Sequence, residues 1–479
     1  MFDLAKFTSV CTLLSVICAH SIPSYNDLAH PDYTNDGVIR CFYDGTKDVS
    51  TKSIMKKLSH CGGNVADIWA VNDKYIDIQM SNKKFDRIDD ISRKLNMKCQ
   101  IMIENIDSLI QETLPSHSRD KDIFMEMLMD YPTERDDGDD DDIFNVETNR
   151  NVRSKLTEYF FQDYRDLESL EIWFKVMTQW FPEILTLKSI GKTGAGHDLN
   201  VLEINVNNRE RNPRGKTIVV TGGVHSREWI SVSTACFAMF QILNNYEMGV
   251  NGEDNILNSF NFIFAPTLNP DGYEYTWRGD RLWRKNRQET GNDDCVGYDL
   301  DRTFGYHWQP TDEFPCSGNY NGEEPFVAIE SQLWDEYIQD NFKGHHDHRL
   351  FGFIDFHSYS QEILYPFSYS CDDLPNDIEN LLELAYDLSK SIRNYSGKQY
   401  DVVQSCKDRD ADINPVGGSG SLLDYMYDKG AHWSYQIKLR DTGNHGFLLP
   451  RGYIQPVGRE GSRIIHSICN FLLNPPDWN

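Results

Sequence analysis

Hydrophobic and polar positions change their period several times along the chain, and each change predicts an element. In the first block, residues 38–43 alternate as a strand. Residues 66–80 hold two short strands around Asn72-Asp73, and residues 99–103 a fourth. Residues 50–58 read as a helix with Ser50 or Thr51 as its N-cap. Residues 85–95 read as a second helix, with Ile88, Ile91 and Leu95 at helical spacing. The order βαββαβ predicts a small open sandwich of ferredoxin type.

From residue 156 the pattern becomes an alternation of longer elements. Helices are expected over residues 167–177, 232–243 and 381–392, and strands over 216–221, 260–265, 351–356 and 435–441. The run Thr217-Ile218-Val219-Val220 has no polar face, as a strand covered on both sides requires. The expected architecture is α/β: a mixed, mostly parallel sheet flanked by helices, preceded by the small α+β ferredoxin-like unit. Between the blocks, residues 135–142 read Arg-Asp-Asp-Gly-Asp-Asp-Asp-Asp, a self-repelling run that buries nothing and suits a solvated linker. Residues 148–155 are basic and polar; they read as a protease-accessible junction or as an ordinary surface loop.

Length and composition refine this picture. A chain of 479 residues exceeds one ordinary core, and 39% hydrophobic content is enough to build two. A formal charge of -27 argues against nucleic acid or an anionic membrane as the main partner. Residues 7–19 are mostly apolar, follow Lys6 and end at Ala19-His20-Ser21, which reads as a secretory signal peptide too short to span a bilayer. No other segment is long and apolar enough for a membrane span. The address implied is the cell exterior, or a vacuole reached by the secretory pathway. Of eleven cysteines, Cys11 and Cys18 leave with the signal; nine remain, so at least one is unpaired or pairs between chains. Cys371 with Cys406 is a candidate pair, and Cys236, in an apolar helical stretch, a candidate buried thiol. Asn394-Tyr395-Ser396 is a sequon that a secreted protein could glycosylate.

The candidate chemistry lies where strands end. Gly222-Gly223-Val224-His225-Ser226-Arg227-Glu228 follows a strand and enters a helix, with His225 and Glu228 three residues apart. With 14 His and 74 acidic residues in the chain, about two such His-x-x-acid pairs arise by chance, and one alone reads more readily as a salt-linked helix start. A second strand ending at His357-Ser358-Tyr359 changes the balance, because ligands gather at strand ends in α/β sheets. Two His and one Glu would leave a fourth position of a zinc ion open.

With these residues in view, the chain resembles the zinc metallocarboxypeptidases of the carboxypeptidase A/B type, in which His₂Glu holds the metal. The likeness runs from about Tyr159 to the C-terminus. It rests on His225-Ser-Arg-Glu228, Asn269-Pro-Asp-Gly-Tyr273, Arg281-Leu-Trp-Arg-Lys285, His357-Ser-Tyr359 and Leu439-Arg-Asp-Thr-Gly443. It implies one zinc ion per chain on His225, Glu228 and His357, and substrate contacts at Arg227, Arg284, Asp301, Arg302, Ser358 and Tyr359. Arg284 and Arg302 would grip a C-terminal carboxylate, for which a planar guanidinium fork is suited. It also implies a Cys295–Cys316 disulfide and a pro-domain covering the site until proteolysis. The expected division is residues 1–21 signal, 22–155 pro-domain and acidic linker, and 156–479 zinc domain. Peptide or protein C-termini are the expected partners.

Three departures stand against catalysis. Asp301 replaces the family's Asn before Arg302, and an ionised Asp only accepts hydrogen bonds, so it would repel a substrate carboxylate or neutralise Arg302. Asn414 falls where the family has a Tyr. Lys438 precedes Leu439-Arg440-Asp441, where the family has the Glu that activates the zinc-bound water. An ammonium cannot accept that proton. Either the site is inactive with its metal retained, or a neutral Lys438 amine serves as the base. Losing a general base typically costs on the order of 10² to 10⁴ in rate, which favours the inactive reading. The combination resembles the fungal inactive carboxypeptidase-like proteins associated with cell-wall organisation. A scaffold in which zinc is only structural is a third reading.

Overall fold

The computed structural model describes residues 31–43, 65–115, 153–206, 212, 215–250, 255–311, 314–344, 349–408 and 418–474. The expected signal peptide, the helix at 50–58, the acidic run at 135–142 and Asn414 lie outside these residues.

The first block is an antiparallel sheet of β1 (Asp36–Phe42), β2 (Val65–Val71), β3 (Tyr75–Ser81) and β4 (Lys98–Ile103) in the order β2-β3-β1-β4. Helices α1 (Ile88–Leu95) and α2 (Ile106–Thr113) accompany it. Ile39, Ile76, Ile78, Ile91 and Leu95 close one small core. Cys41 and Cys99 are register partners across β1 and β4 and form a disulfide, a pairing the sequence did not disclose.

The second block is an eight-stranded sheet. Its strands are β5 (Leu185–Lys192), β6 (Asp198–Ile204), β7 (Lys216–Thr221), β8 (Asn261–Ala265), β11 (Arg349–Ser358), β12 (Glu362–Tyr365), β13 (Asp401–Gln404) and β14 (Trp433–Leu439). The short strands β9 (Glu289–Asn292) and β10 (Cys295–Val296) form a separate ribbon. The order is β13-β12-β14-β11-β7-β8-β6-β5. The central run β14-β11-β7-β8 is parallel, while β12 meets β14, and β6 meets β8 and β5, in antiparallel fashion.

Helices cover both faces. On one face lie α3 (Leu167–Trp180), α4 (Trp229–Glu247), α7 (Ile378–Ser396) and α9 (Ile454–Leu473); on the other, α6 (Ile329–Phe342) and α8 (Leu422–Asp428). Helix α5 (Pro270–Arg278) follows β8. Strand alternation divides the buried residues between two cores: Ile218 and Val220 join the α4 side, Val219 the α8 side. Strand β11 divides likewise, with Ile354 and Phe356 on the first side and Phe353 on the second. By that parity Asp355 and His357 face the α8 side, where the site lies. Cys295–Cys316 and Cys371–Cys406 are both disulfide-bonded, and Cys236 and Cys469 are buried thiols. Among the described residues no helix is long and apolar enough to cross a membrane.

The small sheet packs against the mouth of the large one. Trp69 lies 5.2 Å from the Phe447 ring and edge-on to Tyr359 at 6.4 Å. Asp77, fully buried, receives Arg40 through both nitrogens of its fork and the Tyr359 hydroxyl at 2.6 Å.

Candidate metal centre

The chain leaves β7 through Gly222-Gly223. Gly223 has φ of +61°, and a Cβ there would meet the Val232 side chain at 2.8 Å, so this turn requires glycine. It delivers His225 and then Glu228, the N-cap residue of α4. His357 arrives from the next strand of the sheet, one residue before the end of β11. All three are buried at 0–1% exposure.

Their donor atoms converge. His225 Nδ1 lies 3.0 Å from Glu228 Oε1, His357 Nδ1 3.2 Å from Glu228 Oε2, and the two Nδ1 atoms are 3.2 Å apart. Tetrahedral zinc with bonds of about 2.0–2.1 Å separates its ligands by about 3.3 Å, so this triangle fits that ion. The far imidazole nitrogens are held by carboxylates: His225 Nε2 by Asp299 at 3.2 Å and His357 Nε2 by Asp355 at 2.8 Å. An Nε2–H donated to each carboxylate leaves each Nδ1 lone pair turned toward the shared point, the tautomer a metal ligand needs. Asp355 is itself fixed by the Thr221 hydroxyl at 2.6 Å, and Glu228 by the Ser358 backbone N–H at 2.9 Å.

Electrostatics agree with a cation site. Burial raises the Glu228 carboxyl, but the charges of His357 and His225 outweigh it and hold it at about 2. Burial works against the imidazolium of His357, yet Asp355 and Glu228 outweigh it and carry its pKa well above 6.5. Three buried carboxylates around two imidazoles form a negative pocket, which a divalent cation would neutralise.

The neighbouring cations each meet a carboxylate of the same chain. Arg284 contacts Asp299 Oδ2 through Nε at 3.3 Å and Nη2 at 2.9 Å. Arg302 Nη1 donates to the Asp301 carbonyl at 2.6 Å and to its Oδ2 at 3.1 Å, so Asp301 neutralises this arginine. The Leu422 N–H donates to Asp301 Oδ1 at 2.8 Å and ties the pair to α8. Arg227, stacked 4.1 Å over Phe447, donates to Asp67 of the small sheet at 2.5 Å. Lys438 forms an ion pair with Asp408. Asn394 is exposed near the C-terminal end of α7 and stands apart from the centre.

The candidate triad and the arginines were nameable from motifs, as was Asp301 beside Arg302; the other carboxylate partners were not. Asp355 did carry a signal, since it stands two residues before His357 on a strand and must share its face. Asp299, Asp408 and Asp67 carried none, because only the tertiary fold brings them near.

The fold and this triad define a class, and comparison with known proteins supplies it. A zinc carboxypeptidase family model matches residues 170–463, and the chain belongs to that family. It is 44% identical over 412 residues to the inactive metallocarboxypeptidase ECM14 of Saccharomyces cerevisiae, covering 85% of this chain and 86% of that one. It is 41% identical over 351 residues to the protein of the same name from Trichophyton verrucosum, covering 69% of this chain and 58% of its relative. The crystal structure of thrombin activatable fibrinolysis inhibitor shares the fold, with a TM-score of 0.70 at 23% identity over 92% of this chain and 100% of that one.

Proposed function

We propose that this chain is a zinc-binding pseudo-carboxypeptidase: it holds one zinc ion on His225, Glu228 and His357 and does not hydrolyse peptides. The observation that carries this reading is a complete, buried ligand triad beside a lysine whose ammonium is spent on Asp408. Zinc would supply a Lewis-acidic position open to a ligand oxygen. The chain's own residues offer no carboxylate at position 438 to take a proton, and the ion pair with Asp408 works against a neutral-amine base.

The ligand class follows from the arginines. A peptide or protein C-terminus would present its carboxylate to Arg302 and Arg284, in competition with Asp301 and Asp299, so binding without turnover and of modest strength is expected. Resemblance to the fungal inactive relatives supports a role in cell-wall organisation. The N-terminal apolar run supports secretion or vacuolar delivery, with Asn394 as a glycan acceptor. The proposed division into signal, pro-domain and zinc domain follows the same resemblance.

The test is made on full-length protein and on protein proteolysed at residues 148–155. Metal analysis is expected to find one zinc per chain, and C-terminal reporter peptides to remain uncut in both forms. Robust release of a C-terminal residue would sink the proposal, as would a chain that takes up no zinc.

A further inference from the structure

The sheet face that carries the metal ligands also carries a row of ionisable side chains. Lys438 is the register partner of His357 in the parallel pair β11–β14 and of Glu362 in the antiparallel pair β12–β14. Partners on adjacent strands point to the same face about 5 Å apart, so the lysine rises directly beside a metal ligand. Lys438, Glu362 and Asp408 are 2%, 6% and 7% exposed.

The counter-charge comes from the far side. Asp408 follows the short turn Ser405–Lys407 after β13, and β13 and β12 lie on the opposite side of β14 from β11. Asp408 pairs with the Lys438 ammonium, and Glu362 lies buried on the strand beside the lysine. Burial first, and the Asp408 charge second, push the Glu362 carboxyl up to about 8, so at neutral pH it keeps its proton. The trio then comprises one cation, one anion and one neutral acid.

A lysine beside a divalent ion is a repulsive arrangement, and burial leaves it poorly screened. We propose that Asp408 is the counter-charge that lets this chain carry Lys438 next to the metal centre and still hold the metal. Asp408 is a positioning residue that acts through the lysine: it holds the ammonium on the β12–β13 side and cancels its charge, with the neutral Glu362 beside the pair. This rests on the zinc-binding reading above.

The experiment measures zinc affinity of the full-length protein by chelator competition at pH 7. Asp408→Asn is expected to bind zinc about tenfold or more weakly than wild type, the scale of losing a supporting contact around a metal. Asp408→Asn/Lys438→Met is expected to return to within about threefold of wild type, because removing the cation removes the need for its partner. Lys438→Met alone is expected to bind at least as tightly as wild type, a comparison that survives even if Asp408→Asn fails to fold. Unchanged affinity in Asp408→Asn would overturn the inference. So would a double variant as weak as Asp408→Asn, which would make Asp408 a structural support independent of the lysine. Loss of zinc in Lys438→Met would do the same. A wild-type protein that takes no zinc would instead strike the functional proposal itself.

Discussion

Lys438 stands among buried acids: its ammonium pairs with Asp408, and Glu362 is its register partner on the neighbouring strand. Restoring a carboxylate at this position alone would place it against Asp408 and Glu362, and acids crowded together retain protons. Lys438→Glu is therefore expected to stay at background in a C-terminal hydrolysis assay; clear turnover from that variant would show that the surrounding acids do not matter. Glu362 gives a second prediction at this scale. Its folded pKa of about 8 lies above its ordinary value of 4.5, so between these the native state holds a proton that the unfolded chain releases. Stability from this group is complete below the ordinary value and declines as pH rises toward about 8. The melting temperature of wild type, taken relative to Glu362→Gln, is expected to fall from pH 5 to 8; a flat difference would refute the assignment. The triad itself was readable as motif, because His-x-x-Glu and a strand-terminal His survive in sequence. The acids around Lys438 were not readable, since Asp408 and Glu362 bear no spacing relation to it.

Elements were the most legible level. Apolar runs placed strands over residues 216–221 and 351–356, and β7 and β11 lie there, because a strand covered on both faces has little need of a polar side. What the pattern could not give was how closely the helices approach one another. Helix α9 meets α4 through glycines: a Cβ on Gly458 would lie 2.5 Å from Phe237, and one on Gly461 2.3 Å from Thr234 and 3.3 Å from Phe356. Gly461→Val is expected to cost about 1–3 kcal/mol through overpacking, read as a lowered denaturant midpoint with an unchanged slope. A midpoint equal to wild type would mean that the two helices can move apart freely. The Cys41–Cys99 bridge belongs to this level as well. It was hidden in sequence because cysteines do not announce partners, and it became evident once the two proved to be opposite residues of one sheet.

At the scale of the whole molecule, the small sheet is part of the site's surroundings. Asp67 takes Arg227, Asp77 takes Tyr359, and Trp69 fills the space between Tyr359 and Phe447. Gly446 makes room for that indole, since a Cβ there would meet its ring at 2.7 Å. On the proposed reading of a zinc site covered by the small sheet, Trp69→Ala is expected to speed zinc extraction by a chelator several-fold while leaving equilibrium affinity nearly unchanged, because the three ligands stay in place. Equal extraction rates would show that metal exchange does not pass this way.

By itself, the sequence indicated the two blocks and those strands and helices with a clear period, and offered His225, Glu228, His357 and Lys438 as the residues to watch. These are local properties: periodicity, capping and short motifs act over a few residues. The tertiary structure decided which distant carboxylates meet Arg227, Arg284 and Lys438, which thiols pair across the small sheet, and how that sheet packs against Arg227, Tyr359 and Phe447. Those outcomes depend on contacts between residues far apart in the chain, such as Asp67 with Arg227 and Asp408 with Lys438, which exist only once the sheets are formed and packed.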